Sequence, residues 1–248
     1  MGKDLTNQFF DINKLPAQEG LLIFPISMSR ISNSQNAKRC FDHMKRFSPN
    51  KIIKPVVGLN MVYGDYLYLY SNEKASKLRK KFMPLILQHK NEFMKIISKN
   101  PMLIPQAFSF STWNQILLAS KDFVNLFGQI RKRYKGDSKF RKYLKEDFLA
   151  SGKGKLDQNQ IDFFLEETLI FHLITKGQIP LHNDYVKGHE KWVLWCYPGK
   201  PLKSQIYLSQ KNFFNFKNKK NKFENCFYDL EEKKLYDFER LNLEKVKV

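Results

Sequence analysis

The stretch PVVGLNMVYGD (55–65) carries its apolar residues in an unbroken run rather than in alternation with polar ones. A strand of that kind is buried on both faces, as in parallel sheets flanked by helices. LLIFPI (21–26) is a second such run, and it gives way to a polar, turn-like stretch from Ser27 to Asn36. The pattern predicts a buried strand, a loop and a helix near 34–47. A long helix is expected over 72–98, bent or divided by Pro84. MLIPQAFSF (102–110) reads as a third strand weakened by Pro105, with helices following at about 113–130 and 137–150. SGKGKLD (151–157) is a flexible connection, and Asp157 with Gln160 forms a capping-box pattern for a helix over 158–175, closed by Gly177 and Pro180. WVLWCY (192–197) and the shorter SQIYL (204–208) read as strands. Strands alternating with helices predict an α/β fold with a mostly parallel sheet. From about Ser209 the sequence turns rich in Lys, Asn and Phe. The expected division is therefore one catalytic domain over 1–208 and a basic, aromatic C-terminal extension over 209–248, packed on it or trailing from it.

Charge narrows the partners. Forty-three Lys and Arg stand against 24 Asp and Glu in 248 residues, a net charge of +19. Such an excess attracts polyanions, nucleic acid first and anionic membrane second. No run of about 18 apolar residues is present, and the opening MGKDLTNQFFDINKLP has no apolar signal core, so neither a span nor secretion is expected. Three scattered cysteines, Cys40, Cys196 and Cys226, form neither a disulfide framework nor a zinc motif. His182 and His189 share a loop-like stretch without further ligands. A reducing cytoplasm fits this pattern, and no metal or other cofactor is expected.

Four features carry candidate chemistry. Ser27 directly follows the first strand, and open α/β sheets bind ligands beyond the carboxyl ends of their strands. Glu167 sits in IDFFLEETLIFHLI with Phe163 and Phe164 about one turn before it and Ile170 and Phe171 about one turn after. A carboxylate in that setting loses hydration and needs a partner or a function, whereas Glu166, about 100° away, is expected to be the exposed one. Tyr197 closes the WVLWCY strand, and Pro198 stops it. Lys74, Lys77 and Lys81 recur along one helical face, with Arg79 and Lys80 beside them, which suits a phosphate backbone. Arg131-Lys132-Arg133 is a second basic cluster that extends such a surface.

In order and spacing these residues resemble the tRNA-dependent cyclodipeptide synthases (CDPS), over roughly residues 20 to 208. That family's serine nucleophile closes the first strand in an apolar-Ile-Ser context, as Ile26-Ser27 does, and Ser34-Gln35 matches seven residues on. The resemblance implies a Rossmann-like, mostly parallel sheet with helices on both faces, related to the catalytic domain of class I tyrosyl- and tryptophanyl-tRNA synthetases. It assigns the catalytic glutamate to Glu167, the catalytic tyrosine to Tyr197 and the tRNA-holding helix to the ridge at 74–81. Tyr197-Pro198 with Arg30 looks like one of the two subfamilies. The first aminoacyl pocket falls on Ile23, Pro25, Ile170 and Trp195, with Arg30, Phe163 and Pro198 beside it. The chain departs from the pattern at Pro25, where the family has glycine, at Leu21, where it has histidine, and at Phe163, where it has tyrosine. One hydroxyl of the family's site is thereby absent. Two bulky residues, Pro25 and Trp195, imply a small first amino acid such as Ala or Ser.

The implied reaction joins two aminoacyl-tRNAs into a cyclic dipeptide. The esters arrive activated, so neither ATP nor metal is needed, and a serine takes the acyl group by ester exchange. A buried carboxylate anchors the substrate ammonium, and the tyrosine relays protons. A monomer acting in the cytoplasm on aminoacyl-tRNA is the expectation. Two other readings stay open from the sequence: a noncatalytic RNA-binding protein using only the basic ridge, and a basic membrane-surface protein using the Lys/Phe-rich extension.

Overall fold

The computed structural model describes residues 20–45, 58–65, 72–101, 107–120, 122–152, 156–176, 192–214, 223 and 225–246. By internal contacts the chain divides into two compact units. The unit built around residues 11–116 holds β1 (Gly20–Ser27), α1 (Ala37–Lys45), β2 (Gly58–Gly64), α2 (Asn72–Ser98) and β3 (Ala107–Thr112). Its strands are all parallel, in the order β3-β2-β1, with Leu21 registered on Gly58 and Gly58 on Ala107. Two successive β-α-β crossovers with that order make one half of a Rossmann-like, doubly wound fold. The unbroken apolar runs explain it: β2 is buried at every position, as a central parallel strand must be.

α2 covers one face of these strands through aromatic packing. Phe93 stacks on Phe108 at 5.4 Å, and His89 meets Tyr63 edge-on at 5.6 Å. Lys90 lies 5.0 Å over the Phe110 ring, its stem covering apolar surface, and burial lowers its pKa. Pro84 does not divide α2, which runs unbroken from Asn72 to Ser98.

The second unit holds α4 (Phe123–Gly136), α5 (Ser138–Ala150), α6 (Gln158–Thr175), most of β4 (Trp192–Tyr197), α7 (Lys203–Gln210), β5 (Cys226–Asp229) and β6 (Lys234–Asp237). The helix read at 113–130 is two helices, α3 (Trp113–Ala119) and α4, and the second continues to Gly136. Asp157 caps α6 as its spacing predicts, accepting from the Gln160 N–H at 2.8 Å. Gly177, Pro180, His182 and His189 lie outside the described residues. β4 pairs in parallel with β5, and β5 in antiparallel fashion with β6. Residues read as an extension therefore supply two strands, and Tyr228 among them is almost wholly buried.

One strand expectation is corrected. SQIYL lies in the helix α7, not in a strand. Its N-terminus is capped from far along the chain: the buried Asp147 carboxylate of α5 accepts the Lys203 and Ser204 N–H groups at 2.7 and 2.9 Å. Burial outweighs those bonds and raises the Asp147 pKa to about 6.

Candidate active site

Ser27 is the last residue of β1, half-buried, with its Oγ 2.9 Å from that of Ser29. Side chains alternate along a strand, so Ile23, Pro25 and Ser27 share one face of β1. By register that face is opposite the one on which Tyr63 meets α2, because Ile26 partners Tyr63 and Ser27 partners Gly64. Gly64 places no side chain beside the serine.

The strand end is held by Gln35, the second residue of the Ser34-Gln35 match. Its side-chain Nε2 donates to the Pro25 carbonyl at 2.7 Å, and its Oε1 accepts the Ser27 N–H at 2.9 Å. The Gln35 carbonyl in turn takes His89 Nε2–H at 3.1 Å and the Cys40 thiol at 3.3 Å. His89 Nδ1 then accepts from the Tyr63 hydroxyl at 2.9 Å, so this histidine is neutral with its proton on Nε2. Burial lowers its pKa accordingly. The signal in the sequence was a polar residue closing a loop that begins eight residues earlier at Ser27. Arg30 lies in that loop, exposed, its N–H donating to the Ser27 carbonyl at 2.9 Å.

In the other unit, Tyr197 ends β4 half-buried, on the same face of the strand as Trp195. The Trp195 indole is 3% exposed and meets Phe171 of α6 edge-on at 5.2 Å. α6 therefore covers this face of β4, and Glu167 stands one turn before Phe171 on that side of the helix, with Phe163 and Ile170 flanking it. Phe163 and Ile170 are buried, as is Pro198. The turn after Tyr197 is tied to β5: Leu230 N–H donates to the Tyr197 carbonyl at 3.0 Å, and the buried Asp229 carboxylate accepts from Gly199 N–H at 3.2 Å. Gly199 adopts φ 122°, a conformation that requires glycine.

Glu166, the glutamate of α6 expected to be exposed, is instead the more buried of the two. Glu166 is 3% exposed, and Glu167 is half-buried. α6 has no solvent face on the Glu166 side, because α4 lies there, joined through a bidentate ion pair of Arg131 with Asp162, one turn before Glu166.

Of the basic ridge, Lys77, Lys80 and Lys81 are exposed on α2. Lys74 and Arg79 lie on the same helix, and their side chains fall outside what is described. In the other unit, Arg131 is ion-paired with Asp162, and Arg133 with Asp137 at 2.7 Å. Among the described residues no helix is long and apolar enough to cross a membrane, and no group of three or more His, Cys, Asp or Glu converges as metal ligands. Cys40, Cys196 and Cys226 are buried, and none of them is in a disulfide.

No protein-family model and no curated protein matches the sequence. Solved structures do. A CDPS from Fluoribacter dumoffii superposes with a TM-score of 0.52 at 15% identity, covering 83% of this chain and 89% of that one. A CDPS from Staphylococcus haemolyticus gives 0.50 at 17% identity, covering 82% and 87%. At such identities the likeness is one of architecture, and the chain has the fold of the cyclodipeptide synthases.

Proposed function

We propose that this chain is a cyclodipeptide synthase, an aminoacyltransferase that uses two aminoacyl-tRNAs. The observation that carries the reading is Ser27 at the carboxyl end of β1, its backbone fixed by Gln35, in a chain with the fold of these enzymes. In the proposed reaction the Ser27 hydroxyl attacks the ester carbonyl of the first aminoacyl-tRNA. A serine ester forms, the bond to the tRNA ribose breaks, and the serine proton passes to the ribose oxygen. The amine of the serine-bound residue then attacks the second aminoacyl-tRNA ester, releasing that tRNA and leaving a dipeptidyl ester on Ser27. The new terminal amine attacks this ester, closing the ring and restoring the hydroxyl.

Glu167 is assigned the substrate ammonium. Its half-buried place on the side of α6 that faces β4 supports a carboxylate that holds a cation by charge-assisted hydrogen bonds. Tyr197 is assigned proton relay, which its strand-end position and tethered turn suit. Ile23, Pro25, Phe163, Ile170 and Trp195 are assigned to the first aminoacyl pocket, with Arg30 and Pro198 at its margin. Lys74, Lys77, Arg79, Lys80 and Lys81 are assigned to phosphate contacts with tRNA. The proposed enzyme is a cytoplasmic monomer without a cofactor.

The test is purified protein incubated with a pool of aminoacyl-tRNAs. Mass spectrometry should find a cyclic dipeptide, and the intact protein should carry an aminoacyl ester that Ser27→Ala lacks. An equal adduct on both proteins would reject Ser27 as the carrier. Tight tRNA binding with no product in the wild type would mark a noncatalytic RNA-binding protein instead.

A further inference from the structure

A cleft of about 500 Å³ opens between the loop after β1, the first turn of α1 and the C-terminal half of α2. None of the residues assigned to catalysis lines it. Its apolar wall is Ile31, Leu85 and Ile96, and its polar groups include Asn36, Glu92 and Lys95. Ala37 and Lys38, which open α1, also line it, so the positive end of that helix faces the space. Asn36 caps the helix, accepting from Arg39 N–H at 3.0 Å.

The cleft is aligned with the basic ridge. At 100° per residue, Lys77, Lys81, Leu85, Gln88, Glu92 and Lys95 fall within one quarter of the α2 circumference. A polyanion lying along Lys77 and Lys81 is thus led along the helix into the cleft. The cleft differs from the ridge in kind: it joins apolar wall, lysines and a carboxylate. An unpaired nucleotide uses all three, with its base face against the aliphatic wall, its phosphate near Lys95, and an exocyclic base amine donating to Glu92, whose Oε1 also accepts from Gln88 Nε2 at 2.9 Å.

We infer that this cleft receives one unpaired nucleotide of the bound RNA, with adenine, cytosine or guanine, which carry an exocyclic amine, the bases that suit the carboxylate. The inference rests on the tRNA partner proposed above and adds a second point of contact to it.

Ultraviolet cross-linking of the full chain to unfractionated tRNA, followed by peptide mass spectrometry, should place nucleotide-modified peptides within 31–38 or 85–96. Gln88→Trp, which fills the cleft from an exposed position, should lose that cross-link and weaken tRNA binding about fivefold or more. The slope of log affinity against log salt should fall by no more than about one unit, for the one phosphate held in the cleft, because the ridge lysines remain. Glu92→Ala removes the negative charge together with both acceptor oxygens, so its sign is decisive. Weaker binding supports base recognition, whereas tighter binding means the carboxylate only repelled phosphate and overturns the inference. Cross-links confined to other segments, or wild-type affinity in Gln88→Trp, overturn it as well. Cyclic dipeptide formation is scored separately, so product with misplaced cross-links rejects the cleft alone, and correct cross-links without product reject the synthase reading alone.

Discussion

The Gln35 side-chain oxygen accepts the Ser27 backbone N–H at 2.9 Å while its nitrogen donates to the Pro25 carbonyl, so one amide clamps the strand end on which the proposed nucleophile sits. Gln35→Leu keeps the volume and removes both bonds. Leaving two buried backbone groups unpaired costs about 2–4 kcal/mol of stability, and a small displacement of the serine costs up to about 100-fold in rate. The expected result is a collapse of kcat for product formation with tRNA affinity intact. Full activity in Gln35→Leu would show that the loop holds Ser27 without it.

Replacing Lys77, Lys80 and Lys81 together with Ala should weaken tRNA binding and flatten its salt dependence. Each lost phosphate contact lowers the slope of log affinity against log salt by up to about one unit. These side chains are exposed, so the circular dichroism spectrum and melting temperature should be those of the wild type. An unchanged slope would move the tRNA surface off α2.

Trp195 is packed edge-on against Phe171, so Trp195→Leu should lower stability by about 2–4 kcal/mol. If the indole also bounds the first aminoacyl pocket, the wild type should favour a small first amino acid, and the variant should incorporate larger ones. Mass analysis of the cyclic dipeptides decides this. A wild-type product of two large aromatic residues would remove Trp195 from the pocket and leave it a core residue.

His172 is wholly buried in α6, and burial lowers its pKa from 6.5 to about 3. The unfolded chain binds a proton on this residue below pH 6.5 that the folded chain refuses, so stability falls as pH drops from about 6.5 toward 3. Asp147 acts with the opposite sign. Its folded pKa of about 6 against 3.8 makes ionisation costly, so its contribution falls as pH rises through that interval. The two partly cancel, and the clean measurement is a difference. Between pH 6 and 4 the unfolding free energy of the wild type should drop relative to His172→Phe by about 1.4 kcal/mol per pH unit. Parallel curves for the two proteins would contradict the neutral, buried state.

What the sequence made legible was what local pattern decides. The bounds of α6 follow from the Asp157 cap and an apolar helix length, and those of β4 from a six-residue apolar run. The failures share a non-local cause. Ile206, Tyr207 and Leu208 have strand-like propensity, yet the carboxylate that starts their helix is Asp147, far away in sequence. Glu166 is buried because α4 lies over it, which the α6 sequence does not encode. β5 and β6 are four residues each, too short to show a period, and are held by pairing with β4 and with each other. Gln35 is legible only as part of the Ser34-Gln35 match, because the partners of its side chain are main-chain atoms.

The pairing of β4 with β5 also has a consequence in time. The ribosome delivers residues 192–197 well before 226–229, and at about 5–20 residues per second the gap lasts seconds. During that interval the backbone edge of Trp195 to Tyr197 has apolar side chains and no partner, the condition under which nascent chains associate with one another. A chain stalled or cut between 198 and 225 is therefore expected to be lost to inclusion bodies before any defect in acyl transfer could be noticed. The last strands of the fold would then be felt first in the yield of usable protein.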